Sequence, residues 1–194
     1  MRTVVLASTS PYRLQLLKQL GIPFHVAPPL YEEEIDQGVA PELLVKHLAA
    51  HKAKSLAEKY PDALIIGADQ VFADPRGHIH GKPGGLAQAA AQLREMAGKT
   101  HTFYTGLSVF DAASGESLTD YDCYSVTLRK LSSEQIHFYL EKEQPFDCAG
   151  SFKIEGLGIS LMERMAGDDY TALIGLPLIK VVDFLAHFGV RVLG

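Results

Sequence analysis

VVLASTSPYRLQLL, residues 4–17, sets the architecture of this 194-residue chain. Val4 to Ala7 is an unbroken apolar run of a length that suits a strand covered on both faces. Pro11 stands where the first turn of a helix tolerates proline, and the apolar residues after it recur with helical period to about Leu20. Gly21-Ile22-Pro23 closes that helix. The unit is strand, loop, helix, and its loop, Ser8-Thr9-Ser10, lies at a helix N-terminus, where free backbone N–H groups and partial positive charge accumulate. Two readings follow. Ser10 caps the helix and nothing more, or Ser8 and Ser10 line a phosphate cradle walled by the permanent cation of Arg13. The P-loop pattern is absent.

Working outward, Phe24 to Ala27 reads as a second strand, followed by Pro28-Pro29, an acidic run Glu32 to Glu34 with Asp36, and a helix from about Pro41 to Tyr60. Ala63 to Ala73 is a long apolar strand that turns through Asp74-Pro75-Arg76-Gly77 into His78 to His80, then Gly81-Lys82-Pro83. Leu86 to Met96 is an Ala-rich helix stopped by Gly98. Thr100 to Asp111 and Glu116 to Leu128 alternate as paired strands. Ser132 to Gln135 offers a capping box for a helix that Pro145 ends. The remainder reads as a strand from Gly158 to Glu163, a polar loop at Gly167 to Tyr170 and a last helix from Pro177 to about Phe188. The expected fold class is α/β: a single mixed domain over residues 1–194, with a long twisted central sheet flanked by helices.

Composition narrows the function. Hydrophobic residues make up 47% and charged ones 21%, as in ordinary globular proteins rather than disordered or membrane chains. A net charge of −5 argues against a nucleic-acid partner, so an anionic ligand needs a local positive site. Cys123 and Cys148 form neither a C-x-x-C pair nor a zinc spacing and are assigned to packing in a reducing compartment. The apolar run after Arg2 is too short for a secretory leader, and no stretch reaches the length of a bilayer span; the expected location is the cytoplasm, with no membrane partner.

Three polar residues interrupt apolar patterns. Lys52 shares a helical stripe with Leu44, Leu48 and Leu56; its stem snorkels to water, or its charge awaits a polyanion. Asp69, in LIIGADQVF, shares a strand face with Ile65, Gly67 and Val71, where a carboxylate needs a cation, a metal or a reacting water beside it, unless it is a turn residue. Lys82 is held between a glycine and a proline, as a placed cation or a solvated surface lysine. One of Glu32 to Glu34 could ligate a hard cation, although such a run also suits a solvated face. His78 and His80 fall on one side of a strand without a third zinc ligand.

Together, ASTSPYR at 7–13, GADQV at 67–71, GKP at 81–83, AGSFKIEG at 149–156 and GLPL at 175–178 resemble the Maf family of nucleoside triphosphate pyrophosphatases, most closely its 7-methyl-GTP branch. The resemblance covers nearly the whole chain. It implies a Maf/ITPase-like fold of two lobes around a cleft, usually dimeric, and hydrolysis of a nucleotide between its α and β phosphates. It also implies Asp69 as catalytic proton acceptor, Arg13, Lys52 and Lys82 on the phosphates, where the cradle reading adds Ser8 and Ser10, and Tyr12, Gln70 and Glu155 as specificity positions. Asp69 and Glu33 would hold a divalent cation, Mg²⁺, Mn²⁺ or Co²⁺. The alternatives are the sister branch acting on dTTP, UTP or CTP, and a nucleotide-binding regulator of cell division with little turnover. Tyr12 replaces an arginine common in the family, and His51 replaces a glutamate often found before the lysine.

Overall fold

The computed structural model describes residues 2–31 and 38–194. Among these, the strands are β1 Val4–Ala7, β2 His25–Ala27, β3 Leu64–Ala73, β4 Ile79–His80, β5 Thr100–Asp111, β6 Ser117–Leu128 and β7 Met162–Ala166. The helices are α1 Pro11–Lys18, α2 Pro41–Lys54, α3 Leu86–Met96, α4 Ser133–Glu143, α5 Tyr170–Ile174 and α6 Leu178–His187. The strands make one mixed sheet in the order β2-β1-β3-β5-β6-β7, with β4 paired to β3. The α/β class expected from the alternation of elements is the one observed. The chain divides into two compact units, one of residues up to Gln70 with Tyr104–Cys123 and Asp169–Gly194, the other of Val71–Phe103 and Tyr124–Asp168.

In the first unit β1 lies between β2 and β3 and is parallel to both, with Val5 opposite His25 on one side and Ile65 on the other. All four β1 residues are buried, because successive side chains of a central parallel strand enter two different cores. Val4, Leu6, Leu64, Ile66, Ala68, Leu107 and Val109 pack with Leu16 and Leu17 of α1 and with Val181 and Leu185 of α6. Val5, Ala7, Ile65 and Phe110 pack on the other face with Ala53 and Leu56.

Two glycines let α2 lie flush on this second face. A Cβ at Gly67 of β3 would come within 2.2 Å of the Ala49 carbonyl oxygen, and one at Gly106 of β5 within 2.1 Å of the Val45 carbonyl oxygen. Any larger residue at either position would hold the helix off the sheet. Helix α2 ends at Lys54 rather than running to Tyr60. Ser55 Oγ donates to the Lys52 carbonyl at 2.8 Å and accepts from Leu30 N, an arrangement that competes with continued helix.

The second unit is built around rings. Phe72 contacts His80, His101, Phe103 and Phe152, while α3 buries Ala89, Ala90, Leu93 and Met96. The expected capping box of α4 is present on Ser132 and Gln135. The strand expected at Gly158 to Glu163 begins later: Leu157–Leu161 is a 3₁₀ turn, and β7 pairs antiparallel with β6 from Met162. The cause lies at Lys153, whose carbonyl accepts from both Gly156 N and Gly158 N. A Cβ on Gly158 would meet that oxygen at 2.3 Å, so the chain turns there instead of extending. The polar loop expected at Gly167 to Tyr170 is likewise shorter, because Asp169 caps a further helix, α5.

Candidate active site

The register of β1 against β3 pairs Ala7 with Gly67, so Asp69 and Gln70 lie beyond the carboxyl end of β1. Ser8 to Ser10 leave that same end and lead into α1. This is the edge at which open α/β sheets place their ligands.

Lys52 does not run out to water. It is 6% exposed, Asp69 is 8% exposed, and Nζ donates to Asp69 Oδ1 at 2.5 Å. Gly67 and Gly106 set this distance, since they admit α2 to the sheet at the level of Asp69. Each buried charge compensates the other, as burial of either alone would be costly.

Gln70, the next residue on β3, points to the opposite face. Its Nε2 donates to Thr105 Oγ1 at 2.9 Å, to the Ala172 carbonyl at 2.8 Å and to the Leu173 carbonyl at 3.1 Å. Arg13, in the first turn of α1, donates from Nε to the Gly175 carbonyl at 2.8 Å. Gly175 has φ +123°, a conformation side chains rarely adopt, and a Cβ there would lie 3.5 Å from Arg13 Nε and 3.8 Å from Gln70 Oε1. GLPL at 175–178 is therefore the turn that Arg13 and Gln70 share.

That turn is held by a buried knot. Asp169, 4% exposed, accepts from Thr171 N at 2.8 Å, Thr171 Oγ1 at 2.5 Å and Ile179 N at 2.9 Å. Thr171 Oγ1 accepts in turn from Leu178 N at 2.8 Å. The start of α5 and the start of α6 are thereby tied together. Thr105, Asp169, Thr171 and Gly106 were not singled out by pattern. An aspartate one residue before a short helix and two before a threonine is a capping signal, but it reads equally well as a polar loop.

The loop hydroxyls divide their roles. Ser10 Oγ caps α1 by accepting from Arg13 N at 3.4 Å, and Ser8 Oγ accepts from Ser10 N at 3.1 Å. Both oxygens thus brace the loop, which meets the capping reading of Ser10. As hydroxyls they also carry a proton that can be donated to an anion. Tyr12 is half-buried beside Arg13 on α1.

Lys82 and Glu155 belong to the second unit and are exposed. Lys82 follows β4, and Glu155 lies between a 3₁₀ turn at Ala149–Ser151 and the one at Leu157–Leu161. In AGSFKIEG the first half is packing: Gly150 sits against the Phe72 ring, and Ser151 donates to Gln92. Glu33 lies outside the described residues. Cys123 and Cys148 are partly buried, and desolvation pushes both thiols up to about 11, which suits packing rather than nucleophilic roles.

Among the described residues no three His, Cys, Asp or Glu side chains converge as a metal cage, and His78 sits exposed beside Asp74. A single carboxylate, Asp69, fits a hard cation that arrives on phosphate oxygens and keeps most of its own water, as Mg²⁺ does. It does not fit a resident zinc or calcium centre.

Comparison with known proteins bears on the family. The 7-methyl-GTP pyrophosphatase of Syntrophotalea carbinolica is 69% identical over 194 residues, 100% of this chain and 98% of that one. Proteins of the same name from Colwellia psychrerythraea and Vibrio vulnificus are 47% and 48% identical, covering 100% and 98% of this chain and 96% and 97% of theirs. Among solved structures, the Staphylococcus aureus Ham1 protein aligns with a TM-score of 0.48 at 13% identity over 81% of this chain and 90% of that one. A family model described as Maf-like protein matches residues 3–188, a span that holds the β1–α1 loop, the Lys52–Asp69 pair and the Arg13–Gly175 turn; the chain belongs to the Maf family.

Proposed function

We propose that this protein is a hydrolase that cleaves 7-methyl-GTP between its α and β phosphates, releasing 7-methyl-GMP and diphosphate. The observation that carries the reading is the buried Lys52–Asp69 pair beyond the carboxyl end of β1, the end from which the Ser8 to Ser10 loop leaves the sheet. Full-length relatives carrying that activity in their names support the substrate.

Water attacks the α phosphorus, the bond from that phosphorus to the bridging oxygen breaks, and the electron pair leaves with diphosphate. Asp69 accepts the proton of the attacking water. Protonation of Asp69 removes a negative partner of Lys52, whose ammonium is then drawn more strongly to the charge gathering on the phosphates. The pair thus supplies a base before the step and a cation during it, and that difference between ground and transition state is what accelerates a reaction. Arg13, with its plane set by the Gly175 carbonyl, adds a fixed positive group; Ser8, Ser10 and the N–H groups of α1 donate to phosphate oxygens, and Lys82 supplies a further cation. A divalent cation held by Asp69, with Glu33 as the second ligand expected, would neutralise phosphate charge and polarise the α phosphoryl group. Tyr12 stacks on the cationic 7-methylguanine ring and Glu155 pairs with its N–H edge.

The reading also carries a homodimer and a cytoplasmic location; no described helix is long and apolar enough to cross a membrane. Sedimentation tests the first and fractionation of cells the second.

The deciding assay is diphosphate release from 7-methyl-GTP, GTP, UTP, CTP and dTTP, with and without Mg²⁺, Mn²⁺ or Co²⁺. The expected result is metal-dependent release with 7-methyl-GTP preferred. Preference for the pyrimidine nucleotides would move the protein to the sister activity. Binding without release from any of them would make it a nucleotide-sensing regulator.

A further inference from the structure

The partners of Gln70 leave its amide no choice of orientation. Carbonyl oxygens only accept, so the group that faces Ala172 O and Leu173 O has to be the NH₂. The hydroxyl of Thr105 has one proton, which it donates to Ala172 O at 2.8 Å, and its oxygen is left to accept from Gln70. Two amide protons are thus spread over three acceptors. A flipped amide would lose all three and set its oxygen against two carbonyls. The carbonyls are themselves immobilised, because residues 172 and 173 sit in α5 between the Asp169–Thr171 knot and the Gly175 turn.

We infer that Thr105 is a positioning residue: together with the Ala172 and Leu173 carbonyls, which the Asp169–Thr171 knot steadies, it holds Gln70 in one orientation, so that position 70 meets the nucleotide only as an acceptor, through Oε1. A glutamine is by itself indifferent, able to donate or accept. Here its donors are spent inside the protein, and the ligand group it selects is an N–H or O–H donor. 7-Methylguanine carries two such groups on its pairing edge, N1–H and the exocyclic amine. The inference rests on the nucleotide reading above, in which Gln70 is a specificity position, and adds Thr105, to which that reading assigns no role. It also separates the two neighbours on β3: Asp69 works with Lys52 on one face of the sheet, and Gln70 is set by Thr105 on the other.

The test compares Thr105→Val, which keeps the volume and removes the hydroxyl, with Thr105→Ser, which restores it. In the ligand-free protein, the Gln70 side-chain amide protons, assigned by their loss in Gln70→Met, exchange slowly with solvent in the native protein and in Thr105→Ser, and measurably faster in Thr105→Val, where only the two carbonyls remain to hold them. In turnover of 7-methyl-GTP, Thr105→Val raises KM by about threefold to tenfold with kcat nearly unchanged, the loss expected for one hydrogen bond, while Thr105→Ser stays within about twofold of native. If Thr105→Val does not fold, Thr105→Ala carries the same expectations. Freely exchanging Gln70 amide protons in the native protein, or a native KM in the valine variant, overturns the inference. Protection lost on removal of the hydroxyl, in a protein that hydrolyses no triphosphate, supports the orientation and refutes the nucleotide reading instead.

Discussion

Replacing Gly67 by alanine adds one methyl group at the point where α2 rests on β3. The new carbon would lie 2.2 Å from the Ala49 carbonyl oxygen and 2.7 Å from Ala53 N, both backbone atoms that no rotamer change can move. Normal contact at about 3.5 Å requires the helix to retreat by about 1.3 Å. Lys52 rides on that helix, so its 2.5 Å bond to Asp69 opens beyond hydrogen-bonding range. Two quantities follow. Overpacking of this kind costs about 1–3 kcal/mol, or about 2–4 °C of melting temperature per kcal/mol in a chain of this size. If the pair acts as proposed, its displacement by about 1 Å lowers turnover on the order of 100-fold. Urea denaturation and diphosphate release measure the two independently. A Gly67→Ala protein within about 0.5 kcal/mol of native stability and with near-native kcat would refute the claim that close approach of α2 builds the site.

Asp69→Asn keeps nucleotide binding and loses turnover by orders of magnitude, but it also takes a buried carboxylate partner from the Lys52 ammonium, which destabilises the fold. The double variant Lys52→Met with Asp69→Asn regains much of that stability in urea melts and none of the activity; a double variant no more stable than Asp69→Asn would show that the two charges are not coupled. Acid sensitivity follows from Asp111, whose carboxyl is held well below the usual range by hydrogen bonds from Arg2, one of them 2.7 Å, against the opposing effect of burial. A depressed folded value means that the contribution is complete above the unfolded pKa of about 3.9 and fades as pH falls through the folded one. The stability gap between native protein and Asp111→Asn should therefore be constant from neutral pH to about 5 and shrink below about 4; a gap that widened on acidification would contradict the assignment. Finally, if the metal arrives with the phosphates as proposed, a chelator should stop diphosphate release without shifting the melting temperature of the nucleotide-free protein. A large drop in melting temperature on chelation would point to a resident ion.

Local elements were legible in the chain because their determinants are sequence neighbours. The apolar run of β1, Pro11 at the start of α1, the Ser132–Gln135 box and the Gly98 stop each act within a few residues, and each appears where pattern places it. The misplacements have equally local causes that a hydrophobic pattern does not carry: Ser55 bonding back to Lys52, Lys153 gathering two N–H groups, and Asp169 capping a helix of five residues. The identities of the chemical groups were legible too, since a lysine on an apolar stripe and an aspartate in a buried strand each demand compensation. What no stretch of sequence determines is the partner. Lys52 and Asp69 are 17 residues apart, Gln70 and Ala172 are 102 apart, and Arg13 and Gly175 are 162 apart. Those pairings come from the strand register that brings β3 beside β1, from two glycines that let a helix approach, and from a buried Asp169–Thr171 knot. The chain by itself determined which charges had to be answered; only tertiary packing decided which groups answer them, because distance in space is set by how elements fit together and not by their order.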